Sequence, residues 1–353
     1  MTKALRVRKK RWKLPLGALP LGALLLGTAA ALAILAVGIS LGSSSISLGD
    51  TLRVIGARLF GLDPKGVEAR LIPIVWNLRL PRVLLAFLAG GALSISGAVF
   101  QSALKNPLAS PYILGVSSGA SLGAGIIMLT GFALPFIGGF TLPATGFVFG
   151  FATILMVIAF TRVLDKSLSN NSILLFGMVF SLFVNAILTT LSGVYREELR
   201  NLMYWQMGSF VLKGWSYVGL LLPFVILGAA GIVRYTRELD ILTFGEEEAL
   251  SLGVDTRRLR VWLLFCSALL TGAVTALCGA IGFVDLIAPH LARKVTGSRH
   301  NALLPMSFII GGSLLVVTDL AARTLISPLE LPVGAVTAII GAPFFAWVYF
   351  RKR

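Results

Sequence analysis

Apolar runs of about 20 residues, the length a helix needs to cross a bilayer, recur along almost the whole chain with short polar or charged segments between them. Ten membrane-spanning helices are predicted, at 17–40, 80–104, 109–131, 142–163, 172–194, 215–235, 259–281, 283–296, 302–322 and 332–350. The eighth is short. The runs are continuous, not alternating, which argues against a transmembrane β-barrel. Three interruptions stand out: a long polar-flecked segment at 41–78, the stretch YREELRNLMYWQMGSF at 195–210, and a charged stretch at 236–258. The fold class is all-α and polytopic.

Composition fits this pattern. The chain is 56% hydrophobic and 13% charged, with a mean hydropathy of +0.89. The net charge of +16 does not point to nucleic acid, because the basic residues sit beside the spans. Lys3, Arg6, Arg8, Lys9, Lys10, Arg11 and Lys13 precede the first span, and RKR ends the chain. Basic flanks mark the cytoplasmic side and attract anionic membrane lipid. An even number of spans puts both termini on that side, together with Lys105, Arg162, Lys166, the 234–260 loop and the 293–299 loop. The basic segment 41–78 fits less well, but long loops weigh little in that rule. The chain is read as a basic cytoplasmic tail, 1–16, and a transmembrane domain, 17–353. The start resembles a signal peptide, but its apolar run continues past residue 35 and the first helix is expected to stay.

Sites of chemistry are sparse. Cys266 and Cys278 are twelve residues apart on one helix, about 120° around it, which implies neither a disulfide nor a metal pair. His290 and His300 have no Cys or carboxylate cluster at ligand spacing, so no metal site and no cofactor are expected. There is no P-loop pattern, and no Ser-His-Asp or paired-carboxylate arrangement is suggested. Asp285 and Asp319 are the main acids near membrane depth, fewer than a proton-coupled pump usually needs. The energy source is therefore expected on another chain, and this one is not expected to be an enzyme.

Against that background LTFGEEEALSLGVDTRRLR, 242–260, is unusual: three of only 15 acidic residues stand side by side. The segment 243–253 is read as a short cytoplasmic helix. Thr243 is placed as N-cap with Glu246 completing a capping box. Glu246, Glu247 and Glu248 lie in the first turn, where the helix dipole favours them, and Gly253 ends the helix. Such a helix is too short to cross a bilayer and suits docking of a soluble partner, although a solvated loop turn explains it as well.

The same stretch resembles the coupling loop of permease subunits of iron-chelate and cobalamin ABC importers, the type II importers. LRLPRVLLAFLAGGALSISGAVFQSALKNPLASPYILGVSSGASLGA (78–124), GAIGFVDLIAPHLAR (279–293) and ELPVGAVTAIIGAPFFAWVYF (330–350) are similar to that family from about residue 75 to the end. Asp285 departs from the family's usual neutral residue. The resemblance implies a permease dimer made with a second, identical or paralogous copy. It also implies two ATPase subunits inside and an extracytoplasmic substrate-binding protein. The cargo expected is a ferric siderophore or similar iron chelate, with cobalamin or haem as alternatives. A stand-alone secondary transporter would show intramembrane carboxylates or a filter motif. The segment 243–253, with Gly245 and Leu250, would be the ATPase-coupling helix. GALSISG (91–97) and GAVTALCG (272–279) echo each other in spans of opposite direction, as in an inverted repeat.

Arg79 and Arg82 lie at the outer start of the second span, three residues apart, and Arg323 matches the family's third position for pairing with acids of the binding protein. Guanidinium groups suit bidentate carboxylate binding. Interfacial snorkelling explains Arg79 and Arg82 equally, and Asp319, four residues before Arg323, could simply pair with it. Ser181, Asn185, Thr189 and Ser192 share one face of the fifth span, and a polar stripe in lipid should line a passage or bond a neighbouring helix. Asn170 and Asn171 lie at the cytoplasmic mouth, and Gln101 and Ser102 are expected to face the same passage.

Overall fold

The computed structural model describes residues 19–42, 46–64, 66–165 and 169–350. The expected basic tail, 1–16, lies outside the described residues. The described chain is built from α1 (Leu19–Ser40), α2 (Leu48–Phe60), α3 (Leu71–Pro73), a π-helical turn Ile74–Arg79, α4 (Leu80–Ala103), a 3₁₀ turn Pro111–Leu114, α5 (Val116–Thr130), α6 (Thr141–Leu164), α7 (Asn170–Val194) and α8 (Arg196–Gln206). It continues with α9 (Trp215–Val233), α10 (Thr236–Phe244), α11 (Glu246–Ser251), α12 (Thr256–Cys278), α13 (Val284–Thr296), α14 (His300–Thr324) and α15 (Val333–Phe350). Each expected span has its helix. Among the described residues seven helices are long and apolar enough to cross a membrane, α5 and α15 are shorter apolar helices, and α13 lies where the short eighth span was expected without belonging to either group.

The polar interruptions also fold as helices. In 41–78, Ser47 accepts the backbone N–H of Asp50 at 3.0 Å and starts α2, and Gly61, at φ +67°, stops it. This helix buries Thr51, Val54 and Ala57 and exposes Leu48, Leu52 and Leu59. The following turns, α3 and the π turn, run straight into α4, so the second span starts nine residues earlier than its apolar run. The stretch 195–210 contains α8.

Burial divides the spans. The most apolar windows of α4 and α12 are 83% and 78% buried, against 17% for α1 and 22% for α7. α4 and α12 are therefore the interior of the bundle. The echoing segments lie on these two helices, and Ser96 there donates to the Ser267 carbonyl at 3.0 Å and lies 2.8 Å from the Thr271 hydroxyl. α4 and α14 meet backbone to backbone. A Cβ at Gly90 would stand 2.2 Å from the Gly311 carbonyl oxygen, and one at Gly311 would stand 2.4 Å from that of Gly90. Glycine is required here because nothing larger fits between the helices.

Candidate functional site

The structure gathers charge at two ends of the bundle. At one end α4 begins, α14 finishes and α1 finishes. The last carbonyls of a helix have no partner within it, and the helix dipole makes them electronegative. Arg79, at the end of the π turn, donates from Nη1 to Ile39 O at 3.1 Å and Ser40 O at 2.6 Å. Arg323, in the last turn of α14, donates from Nη2 to Gly38 O. Both arginines thus cap α1. Arg82 is held by two acids: Nε and Nη2 meet Asp319 at 3.1 and 2.8 Å, and Nη1 and Nη2 meet Glu330 at 3.1 and 2.8 Å. Asp319 is 1% exposed, so its charge is matched inside the protein. Arg323 lies 3.7 Å from it, at the edge of an ion pair, and Arg82 is its main partner. The three arginines expected to act together do share one site. With Glu330 and Lys213 they line an open cavity of about 420 Å³. Lys213 stacks over Tyr217 at 4.3 Å, and burial lowers the pKa of its ammonium. Glu330 and Lys213 were not singled out in the sequence, although Glu330 opens one of the family-like segments.

The opposite end carries the acidic stretch. A single helix from Thr243 to Gly253 is not what forms. Thr243 belongs to the last turn of α10, and its hydroxyl donates back to the Asp240 carbonyl at 2.6 Å. The chain straightens at Gly245 and restarts as α11, so no capping box forms and Gly245 is the N-cap. The physical reason is that Thr236, Leu239 and Leu242 are buried at helical spacing and hold α10 continuous through Thr243. The first turn and the stop lie where expected. Glu246, Glu247 and Glu248 fill the first turn, and Gly253, at φ +81°, ends the element. Glu246 turns back on the protein: it meets Arg260 at 3.0 Å and Thr256 at 3.3 Å, fastening α11 to α12. Glu247 and Glu248 are exposed together with Phe244, Leu250 and Leu252.

The polar groups expected to line a passage separate. Asn185 and Thr189 are exposed on α7, with the Thr189 hydroxyl bonded to Asn185 O at 2.8 Å. Ser181 and Ser192 are half-buried, and Ser181 donates to Gly177 O at 2.8 Å. Asn170 and Asn171 form the first turn of α7, and Asn170 Oδ1 is buried with no partner among the described residues. Gln101 is buried in the seam between α4 and α13, bonded to Asp285 O at 3.3 Å and to Arg293. It is not on the face that α7 presents. Asp285 gains a role: in the first turn of α13 it accepts from Ser110, tying that helix to the 3₁₀ turn before α5.

A Ser-His-Asp constellation does exist, contrary to the sequence reading. His300 Nδ1 lies 2.6 Å from Asp240 Oδ1, and Nε2 lies 2.7 Å from Ser102 Oγ. The three residues are far apart in the chain, which hid them. His300 is 1% exposed, so a substrate cannot reach this serine as it would a nucleophile.

The fold and these two charged ends define a polytopic helical membrane protein of the transport-permease class. The chain belongs to the FecCD transport family, whose model matches residues 28–351. It is 38% identical over 281 residues to the Fe(3+) dicitrate transport system permease protein FecD of Escherichia coli K12, covering 79% of this chain and 86% of that one. It is also 38% identical over 286 residues to the hemin transport system permease protein HmuU of Yersinia pestis, covering 79% and 84%. A solved inward-facing metal-chelate type ABC transporter superposes with a TM-score of 0.80 at 29% identity, over 94% of this chain and 99% of that one.

Proposed function

We propose that this chain is the membrane permease of an importer that carries a ferric siderophore or a similar iron chelate into the cytoplasm. Two copies of a separate ATPase energise it, and an extracytoplasmic binding protein delivers the cargo. It lies in the cytoplasmic membrane with both termini inside and works beside a second permease copy. The Arg82 end faces outward and receives the binding protein through Arg79, Arg82 and Arg323. α11 faces the cytoplasm and enters the ATPase, with Gly245 and Gly253 bounding it.

The observation that carries this reading is the α11 surface. Two free glutamates and exposed Leu250 stand on a six-residue helix, flanked by exposed Phe244 and Leu252. Exposed apolar groups beside charge mark a surface for another protein. Glu246 supports the same reading by fixing that surface to α12, so that force on α11 reaches the bundle. Asn185 and Thr189 on exposed α7 suit a passage completed by the second copy, with Asn170 and Asn171 at its inner mouth. Equal identity to a ferric dicitrate and a haemin permease means that relatedness alone does not select the cargo. The test is uptake in liposomes holding this permease, its ATPase and its binding protein. Labelled ferric siderophores, haem and cobalamin are compared with and without ATP. ATP-dependent uptake of a ferric siderophore is expected; uptake driven by an ion gradient without ATP refutes the proposal.

A further inference from the structure

α4 and α14 are joined in three places, of which the transport reading uses only Arg82. Along their middle they touch through backbone. A Cβ at Gly312 would stand 2.5 Å from the Phe87 ring, and one at Gly91 would stand 2.4 Å from the Phe308 ring, on either side of the Gly90–Gly311 contact. Phe87 and Phe308 themselves pack edge to face at 5.6 Å. With backbone against backbone and rings locked over glycines, neither helix can slide without opening the seam. At the outer end the pair is bolted by Arg82 of α4 on Asp319 of α14. At the inner end it is bolted again, by Ser102 of α4 on His300, the first residue of α14.

The inner bolt reaches further. Asp240 of α10 accepts from the His300 backbone N–H at 2.9 Å as well as meeting its ring at 2.6 Å. A carboxylate only accepts, so Nδ1 carries a hydrogen, and the Ser102 hydroxyl can donate to or accept from Nε2 as required. Asp240 therefore caps α14 from another helix, at the end where the dipole favours a negative charge. α10 leads through Gly245 directly into α11. A chain of short contacts thus runs from α11 to α10, through Asp240 and His300 into the α4–α14 pair, and along it to Asp319, Arg82 and Glu330. The 25 residues of α14 alone span about 37 Å.

We infer that α4 and α14 form one strut joining the binding-protein face to the ATPase face, and that Asp240, His300 and Ser102 are the positioning residues that fasten it to the coupling helix. The inference rests on the proposed docking of both partners. A two-ended coupling must be reciprocal in binding: if the docked binding protein alters the affinity for nucleotide, the nucleotide must alter the affinity for the binding protein by the same factor. Asp240 and His300 set the size of that factor without touching either partner.

The test uses the full chain in nanodiscs with its ATPase and binding protein. Binding-protein affinity is measured without nucleotide and again with ATP and orthovanadate, for the parent and for Asp240→Asn, His300→Gln and Ser102→Ala. The parent is expected to change affinity between the two states. In the variants, the nucleotide-free affinity should stay near the parent's, while the nucleotide-dependent change shrinks by about fivefold or more, the lower end of ordinary coupling. Combining Asp240→Asn with His300→Gln should add little, because the two act through one contact. A merely structural role would weaken affinity in both states alike. A parent-sized change in Asp240→Asn and Ser102→Ala, which keep shape closely, overturns the inference, as does a parent that docks its partner with no nucleotide-dependent change. A parent that retains neither ATPase nor binding protein refutes the proposed function instead.

Discussion

The two charged ends of the bundle are built on opposite plans. At the Arg82 end every arginine is already engaged: Arg79 and Arg323 on the carbonyls of α1, and Arg82 on Asp319 and Glu330. Of the three glutamates of α11 only Glu246 is engaged among the described residues, and Glu247 and Glu248 are left to solvent. A closed cluster can accept a carboxylate from outside only by giving one up. Glu330, 34% exposed, is the partner that can leave, whereas Asp319, 1% exposed, cannot. An open cluster needs no exchange. The Arg82 end is thus suited to contact that rearranges, and the α11 end to a standing attachment.

Substitutions can break this contrast, and the largest effect belongs to the closed end. Arg82→Ala strands the Asp319 carboxylate and is expected to cost about 3–5 kcal/mol, read as an earlier transition in mixed-micelle unfolding. Gly311→Ala, which drives a methyl onto the Gly90 carbonyl, should cost about 1–3 kcal/mol in the same titration. Glu246→Gln weakens the hold on buried Arg260 and should cost about 1–2 kcal/mol, with α11 amides exchanging faster. Glu330→Gln should cost less than about 1 kcal/mol and tighten binding-protein docking, because it frees Arg82; weaker docking would show that Glu330 is part of the contact. The double change Glu247→Lys and Glu248→Lys should move stability by no more than about 0.5 kcal/mol and yet lose the ATPase on purification. A large stability loss there would mean that the α11 end is not open.

Seven of the spans were legible because they are long apolar runs, and the bilayer admits little else. The position of α11 was legible from its three glutamates and from Gly253. The break at Gly245 was misread because Thr243 and Glu246 stand at capping-box spacing, while the buried Thr236, Leu239 and Leu242 carry the helix through. Tertiary burial won over local capping. Arg82 stood out at the start of its span, but its partner Glu330 lies 248 positions away, and pairing over that separation leaves no local trace. The His300 bridge was hidden in the same way, with Ser102 separated from it by 198 positions and Asp240 by 60. Gln101 was expected on the passage, and nothing local to it foretells its bonds to Asp285 O and Arg293.

The capping of α1 has a consequence for how the protein is made. α1 is the earliest described helix to leave the ribosome, yet the guanidinium that Arg323 offers to Gly38 is synthesised 285 residues later. Arg79 arrives sooner but still only with the second span. The packing of α1, whose most apolar window is 17% buried, also waits largely on α14: Gly27 lies against Met306 and Gly38 against Val316. The helix that enters the membrane early is therefore seated late. A nascent chain stopped short of α14 would carry a first helix inserted in lipid but not yet part of the bundle.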